Sequence, residues 1–265
     1  MGKVIVITSG KGGVGKTTVT ANLSVSLSLL GKKVIAIDTD IGLRNLDVVM
    51  GLENSIVYNI VDVIEGNCRL KQAIIRDKRF RNLYLLPSAQ SKDKSCINQY
   101  QMINLTNELK QKFDYVLIDC PAGIEQGFKN AIAGATRAII VTTPEVSAIR
   151  DADRVSCLLD KAGLYPINLI VNKIRNDLVK KGDMMSTDDV TEILSLDLIG
   201  MIHDDTDIVI STNRGEPLAG ANSYSSKIFM NIAKRIDGEE VPMLNHKNRK
   251  FNFFKKYLTG GFQNV

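Results

Sequence analysis

Tryptophan is absent from this chain of 265 residues, and all aromatic residues together make up only 6% of it. So few rings argue against a surface that stacks nucleic-acid bases or sugars. Two histidines, His203 and His246, are too few for an HExxH motif or a multi-histidine metal centre. No uninterrupted apolar run approaches the roughly 20 residues of a membrane-spanning helix, so we expect no such helix.

The four cysteines are scattered, and no two of them form a CxxC pair. Nothing before the first apolar run has the composition of a signal or transit peptide. We therefore expect a reducing compartment and no structural disulfide. An iron–sulfur cluster shared between two subunits is the alternative, and it needs two cysteines per subunit in suitable loops. Cys120 directly follows an apolar run, and none of the four lies in a glycine-rich loop.

The net positive charge is confined to the end of the chain. The sequence carries 34 lysines and arginines against 29 acidic residues, a formal net charge of +5. No acidic residue follows Glu240, whereas five basic residues do, so residues 1–240 are neutral overall. A neutral body with a basic tail differs from the uniformly basic surface of a non-specific nucleic-acid binder.

Short apolar runs rich in Val and Ile alternate with helical stretches along most of the chain. Strands buried on both faces have this composition, and the alternation predicts a doubly wound, mostly parallel α/β sheet. Such sheets bind ligands at the carboxyl ends of their strands. The predicted strands are 3–8, 34–38, 83–86, 115–119, 138–142, 168–171 and 198–202. The predicted helices are about 16–30, 99–112, 125–135, 147–163, 186–195 and 221–236.

A phosphate-binding loop is predicted between the first strand and the first helix. Residues 10–17 read GKGGVGKT and match the pattern G-x-x-x-x-G-K-[ST]. The glycines let backbone N–H groups turn towards phosphate oxygens, and the positive end of the helix dipole adds to them. Lys16 is expected to reach the β- and γ-phosphates of a nucleotide, and the Thr17 hydroxyl is expected to ligate Mg²⁺.

The loop carries a second lysine, Lys11, that an ordinary phosphate loop does not require. With it, KGGVGKTT resembles the deviant Walker A motif of the ParA/MinD ATPases, a family of the P-loop NTPase type. The segments DTDIGLRNLD, LIDCPAGIEQGF, TTPEVSAIRDADR and NRGEP are similar to the MinD branch of that family. The resemblance implies that Lys11 reaches the nucleotide of a partner subunit, so that two subunits enclose two ATP molecules. The ATP-binding residues that it implies are Gly10, Lys11, Gly12, Gly13, Val14, Gly15, Lys16, Thr17, Thr18 and Asn172.

Polar side chains follow or end three further predicted strands, where carboxylates can orient water or coordinate Mg²⁺. By the same resemblance Asp40 positions the attacking water, Asp38 lies in switch I near the metal, and Asp119 holds Mg²⁺ as a Walker B aspartate. An asparagine at the position of Asn172 hydrogen-bonds adenine in this family, although asparagine is also a common turn residue. The catalytic residues are therefore predicted to be Lys11, Lys16 and Asp40. The predicted metal ligands are Thr17, Asp38 and Asp119.

The basic tail predicts a short amphipathic helix at residues 247–258, which read KNRKFNFFKKYL. Phe251, Phe254 and Leu258 share one face of such a helix, with lysines beside them. At about 18 Å such a helix is too short to span a bilayer. We expect it to lie in the membrane interface, with its lysines beside anionic headgroups. The alternatives are a tail that packs on its own body and a disordered basic tail. The predicted organisation is an ATPase domain at 1–236, a linker at 237–246, this helix at 247–258 and a tail at 259–265.

The resemblance implies an ATPase that dimerises with ATP, binds an anionic membrane and helps to place the division site of a cell or organelle. It also implies low basal hydrolysis, stimulated by the membrane and a MinE-like activator, and a second partner, a MinC-like inhibitor of division-ring assembly. Residues Arg44, Asn45 and Asp47, with 145–154, are predicted to form the partner face. The expected location is the cytoplasm and inner membrane of a bacterium, or the stroma and inner envelope of a plastid.

Two other functions remain open from the sequence. A ParA-type partition ATPase shares the phosphate loop and Lys11 but binds DNA non-specifically through a basic surface. The neutral body of this chain counts against that alternative. A scaffold that binds ATP without hydrolysing it is the other, and the carboxylates Asp40 and Asp119 argue against it.

Overall fold

The computed structural model describes residues 1–90 and 96–244, and these form one eight-stranded sheet with helices on both faces. The strands are β1 (Lys3–Thr8), β2 (Val34–Asp38), β3 (Ile75–Arg76), β4 (Leu83–Leu86), β5 (Tyr115–Asp119), β6 (Arg137–Thr142), β7 (Ile167–Ile174) and β8 (Asp197–His203). Their order across the sheet is β3-β4-β2-β5-β1-β6-β7-β8, and only β3 runs antiparallel to its neighbour. The predicted fold class is confirmed.

The helices of the described ranges divide into those that the sequence predicted and those that it did not. The predicted ones are α1 (Lys16–Leu29), α5 (Gln99–Leu109), α6 (Gln126–Ala133), α7 (Val146–Lys161), α9 (Thr187–Leu194) and α11 (Tyr224–Asp237), and each overlaps a predicted range. The unpredicted ones are α2 (Leu46–Met50), α3 (Ile60–Ile64), α4 (Leu70–Ala73), α8 (Asn176–Lys181) and α10 (Thr206–Asn213), none longer than eight residues. In the part of the chain described here, no helix combines the length and the apolar character that crossing a bilayer requires.

Successive residues of the central strand pack into two separate hydrophobic layers. Val4 and Val6 of β1 lie in one layer with residues of α5, α6 and α7, while Ile5 and Ile7 lie in the other with α1 and α11. All four are at most 3% exposed. Each such side chain contributes roughly 1.5–3 kcal/mol to the free energy of unfolding. Burial on both faces explains why these strands read as continuous apolar runs.

Helix α1 leads from the phosphate loop through the second of these layers and is buried along most of its length. Several of its buried polar groups are paired within the fold, although the buried Ser26 hydroxyl has no partner among the described residues. The Ser24 hydroxyl donates to the Thr20 carbonyl at 2.7 Å, and Asn22 Oδ1 accepts from the backbone N–H of Ala219 at 2.9 Å. A buried polar group is costly only when it lacks such a partner. The start of α1, and with it the phosphate loop, is therefore held by the core.

Helix α11 runs from the carboxyl edge of the sheet to its amino edge. At its start, the Ser225 hydroxyl donates to Asp205 Oδ2 at 2.5 Å, and Asp205 lies just past the end of β8. At its end, the hydroxyl of Tyr115, the first residue of β5, donates to Asp237 Oδ1 at 2.8 Å. The described part of the predicted linker, up to Leu244, follows. The predicted amphipathic helix at 247–258 and the tail at 259–265 lie outside the described residues.

Candidate nucleotide site

The phosphate loop joins β1 to α1 at the carboxyl edge of the sheet, as its motif requires. Gly15 takes a left-handed conformation with φ of +97° and caps the start of α1. The positive φ favours glycine here, and a Cβ atom added to Gly15 would lie 2.4 Å from Asn172 Nδ2 and would displace that amide from the loop. Lys16 follows as the first residue of α1 and is 8% exposed. The N-terminal N–H groups of α1 and the Lys16 ammonium therefore lie together, an arrangement that binds anions.

Two buried carboxylates lie beside this loop. Asp38 and Asp119 end the neighbouring strands β2 and β5 and are paired in register. Asp38 Oδ1 accepts from the N–H of Asp40 at 2.9 Å, and its Oδ2 accepts from two N–H groups at the start of α2 at 3.2 Å each. Asp119 accepts hydrogen bonds from the hydroxyls of Thr17 and Thr20, the second at 3.1 Å. Backbone and threonine donors thus fix the orientation of both carboxylates.

Without a bound cation, the surroundings of these two carboxylates disfavour their ionised forms. Burial, and after it the charge of Asp119, raises the pKa of Asp38 to about 7. Burial also raises the pKa of Asp119 to about 6, although the Lys16 ammonium and the threonine hydroxyls act in the opposite direction. Desolvation and like charges both favour the neutral acid. A cation bound between the strand ends would offset both effects.

Asp40 follows β2 and is only partly buried. Its Oδ1 atom is nevertheless buried and accepts no hydrogen bond from the residues that the structure describes. A buried carboxylate oxygen without a donor costs on the order of 1–3 kcal/mol. The atom is therefore available to a donor from outside the chain, such as a water molecule or a ligand.

Lys11, the second lysine of the loop, contacts the start of α7. Its Nζ atom lies 2.9 Å from Glu145 Oε2 and 3.0 Å from Ser147 Oγ. The Lys11 and Glu145 side chains are 41% and 55% exposed. An exposed ion pair of this kind contributes at most about 1 kcal/mol, so Lys11 can leave it at little cost.

The end of β7 supports the loop from the other side. Asn172 Nδ2 donates to the Val14 carbonyl at 2.7 Å, and Lys173 Nζ donates to the Gly13 carbonyl at 2.8 Å. Lys173 takes a left-handed conformation with φ of +56°, which is uncommon for a residue with a Cβ atom. Two carbonyls of the loop are thereby occupied from β7, which leaves its N–H groups for a ligand.

Comparison with known proteins decides the family. A family model described as an AAA domain matches residues 2–162. The septum site-determining protein MinD of Bacillus subtilis is 56% identical over 246 residues, which are 92% of this chain and 92% of that protein. The chain belongs to the MinD family. The putative septum site-determining protein MinD of Chlorella vulgaris is 51% identical over 257 residues, covering 96% of this chain and 91% of that protein.

Similar solved structures support the same family assignment. The MinC:MinD cell division protein complex of Aquifex aeolicus matches with a TM-score of 0.86 and 46% identity, covering 92% of this chain and 99% of that chain. MinD of Pyrococcus horikoshii in complex with Mg-ADP matches with a TM-score of 0.82 and 34% identity, covering 90% of this chain and 97% of that chain. A ParA family ATPase of Chlorobium tepidum, at 21% identity and a TM-score of 0.74, shares the fold alone over 88% of this chain and 99% of that one. MinD proteins are P-loop ATPases, so this chain is a member of an ATPase family.

Within this MinD-family fold, the predicted site residues lie along the carboxyl ends of β1, β2, β5 and β7. The loop itself, with Gly10, Gly12, Gly13, Thr17 and Thr18, lies at the central strand, and Lys11 is the residue whose side chain turns to α7. The prediction of a surface formed by Arg44, Asn45 and Asp47 is wrong in part, because Asp47 is fully buried and paired with Arg44 at 2.9 Å. Asn45 is exposed.

Sequence reasoning missed two residues that support the site. Thr20 lies one helical turn after Lys16, and this spacing is a signal that could have placed it beside Asp119. Lys173 follows Asn172 near the end of β7, but the left-handed conformation of its backbone cannot be predicted from a lysine.

Proposed function

We propose that this chain is an ATPase that dimerises with ATP, associates with an anionic membrane surface and helps to place the division site. One observation carries the proposal: a buried lysine at a helix start and two buried carboxylates surround a single phosphate loop. The names of the MinD relatives and of the MinC:MinD complex support the role in division.

In this proposal the chain's own residues bind and orient the phosphates. The N–H groups of the loop and the start of α1 surround phosphate oxygens, and Lys16 neutralises the β- and γ-phosphates. Asn172 and Lys173 keep the loop carbonyls turned away from the ligand. The buried position of Lys16 strengthens its interaction with an anion, because water competes less there.

The residues present fit Mg²⁺, which is usually held by one or two carboxylates together with phosphates and water. Asp38 and Asp119 are adjacent, buried and raised in pKa, so a divalent cation would stabilise their ionised forms. Thr17, Asp38 and Asp119 are the residues that would hold it. The ion would supply neutralisation of the charge that develops on the phosphates.

Asp40 is the residue we propose to orient the attacking water. Its buried Oδ1 atom has no donor among the described residues, and a water molecule would supply one. Lys11 is proposed to exchange its exposed contact with Glu145 for the nucleotide of a second subunit. Hydrolysis is then slow in the single chain and faster in the dimer.

The proposed partners are a second copy of the chain, a MinC-like inhibitor, a MinE-like activator and anionic lipid. We propose exposed residues of 145–154 on α7, beside the Lys11 contact, as the protein-binding surface and residues 247–258 as the lipid-binding segment. The proposed location is the cytoplasm and inner membrane of a bacterium, or the stroma and inner envelope of a plastid.

Liposome sedimentation with ATP and Mg²⁺, with ADP and Mg²⁺, and without nucleotide tests the proposal. We expect the bound fraction to be highest with ATP, and Lys16→Ala to remove the difference. Phe254→Glu is expected to abolish binding, because it places an acid on the apolar face. Asn252→Glu adds the same charge on the polar face and should bind more strongly than Phe254→Glu.

Two results would contradict the proposal. Equal sedimentation with ATP and ADP would make the tail a static anchor. Salt-dependent DNA binding by a chain truncated before Lys247 would favour a partition ATPase instead, because its body would then carry the binding surface.

A further inference from the structure

The residues that follow α11 pack back onto the body. We call residues 238–244 the strap. Gly238, with φ of +106°, ends α11, and Leu244 packs against the core layer that contains α1 and α11. The strap contains no helix or strand. Strap carbonyls instead take hydrogen-bond partners from side chains of α11.

Arg235 supplies most of those partners. Its guanidinium donates to three carbonyl oxygens: Nε to Val241 at 2.8 Å, Nη2 to Pro242 at 2.7 Å and Nη1 to Ile199 at 2.8 Å. Val241 and Pro242 belong to the strap, and Ile199 belongs to the edge strand β8. The planar guanidinium, with its fixed fork of donors, is suited to joining several acceptors at once. One side chain thus connects helix, strap and sheet.

The strap carries the chain from the amino edge of the sheet to its carboxyl edge. It starts after Asp237, which is bound to Tyr115 and Lys32 at the amino edge. It ends at Leu244, whose carbonyl accepts from the hydroxyl of Tyr224 at the opposite end of α11. Since α11 has 14 residues, its ends lie about 20 Å apart. The strap therefore shifts the exit point of the following segment by that distance, to the edge that bears the phosphate loop.

We propose that Arg235 is a positioning residue for membrane binding, because it fastens the strap so that the C-terminal segment leaves at the nucleotide edge. The inference rests on the proposed function, in which that edge faces a second subunit and residues 247–258 bind lipid. Two segments that start at this edge start near the dimer contact. If the straps were released, the segments would start at the amino edges, up to about 40 Å farther apart. The effective concentration of the second segment at the membrane would then fall.

Three measurements on the full chain test this inference, with Arg235→Met as the variant. Methionine keeps an apolar stem against the helix but removes all three donors. Lys227→Met is the matched control. Lys227 is exposed on the same helix, and this variant also replaces one cationic side chain by methionine. The measurements are hydrogen exchange of the strap amides, dimerisation with ATP, and sedimentation with phosphatidylglycerol-containing vesicles in ATP and in ADP.

For Arg235→Met we expect strap exchange to rise about tenfold, because the two hydrogen bonds from the guanidinium to the Val241 and Pro242 carbonyls no longer oppose local opening. ATP-dependent dimerisation should match the parent. The ratio of lipid-bound protein in ATP to that in ADP should fall towards one, whereas Lys227→Met should match the parent in all three measurements. Leu244→Ser loosens the far end of the strap without changing α11, and it should lower the same ratio if Arg235→Met does not fold.

The outcomes separate the inference from the function on which it rests. A released strap with an unchanged ATP-to-ADP ratio would overturn the inference and leave the proposed function intact. Unchanged strap exchange in Arg235→Met would also overturn it, because Arg235 would not be what fastens the strap. A parent protein that binds vesicles equally in both nucleotides would contradict the proposed function, and the inference with it.

Discussion

Replacing Asp38 by asparagine is expected to stabilise the nucleotide-free protein at neutral pH. Burial raises the pKa of Asp38 from 3.8 to about 7. Below about pH 4 the carboxyl is protonated in both the folded and the unfolded chain, so it has no effect on stability there. Between about pH 4 and pH 7 the unfolded chain loses this proton while the folded chain keeps it, so the free energy of unfolding falls as the pH rises. Asparagine does not titrate and removes this loss.

The size of the gain follows from two opposing terms. A pKa difference of about 3 corresponds to about 4 kcal/mol at neutral pH. The carboxylate accepts with both oxygens, from Asp40 on one and from Asn45 and Leu46 on the other. Asparagine has one acceptor oxygen, so one set of donors loses its partner at a cost of about 1–2 kcal/mol. The net gain is about 2–3 kcal/mol, or about 4–5 °C in Tm for a chain of this length.

Thermal unfolding of the nucleotide-free protein at about pH 5 and about pH 7.5 measures this gain. Asp38→Asn should be more stable than the parent at the higher pH, and the difference should shrink at the lower pH. Asp153→Asn, which removes the same charge from an exposed position on α7, is the control and should change little. The reasoning is refuted if Asp38→Asn is the less stable protein at pH 7.5, or if its gain is the same at both pH values.

Three further predictions concern the loop, the glycines and the dimer. Gly51→Ala should lower the free energy of unfolding by about 2–4 kcal/mol, because its φ is +64° and a Cβ atom would lie 2.4 Å from the carbonyl oxygen of Gly215. Gly31→Ala, with φ of +82° but open space around it, should cost only about 1 kcal/mol in the same denaturant titration. Asn172→Ala should weaken ATP and ADP binding about equally in calorimetry, since it releases a carbonyl of the phosphate loop; a loss confined to one nucleotide would contradict this support role. Lys11→Ala should bind nucleotide like the parent but fail to dimerise in analytical ultracentrifugation, and normal dimerisation would remove the proposed contact across subunits.

Much of the fold could be predicted because the central strands are buried on both faces. Runs such as 34–38 and 115–119 are apolar up to the aspartate that ends each of them, and all their residues are buried. The short elements gave no such signal. Helix α10 reads TDIVISTN, and its β-branched residues are typical of a strand rather than a helix. Strand β3 has two residues, too few for any periodicity, and it exists only because β4 pairs with it.

The candidate site also has parts that the sequence predicts and parts that it does not. The phosphate loop and the carboxylates could be predicted, since their motifs follow apolar strands whose carboxyl ends share one edge. The contact between Lys11 and Glu145 joins positions 134 residues apart and depends on how α7 packs. The burial of Asp47 was not predicted, because an acidic residue in a polar segment reads as exposed. Arg235 lies at the end of an amphipathic helix, where the sequence does not distinguish a solvated cation from one that holds three carbonyls.

The strand order has a consequence for how the protein is made on the ribosome. β1 is synthesised first, yet its neighbours in the sheet are β5 and β6, which start at Tyr115 and Arg137. An emerging chain must therefore produce more than 100 further residues, roughly 5–20 s of translation, before its first apolar strand has a partner. During that time the strand is a target for chaperones or for other nascent chains. Fragments that stop before Tyr115 should aggregate and bind no nucleotide, although they contain the whole phosphate loop.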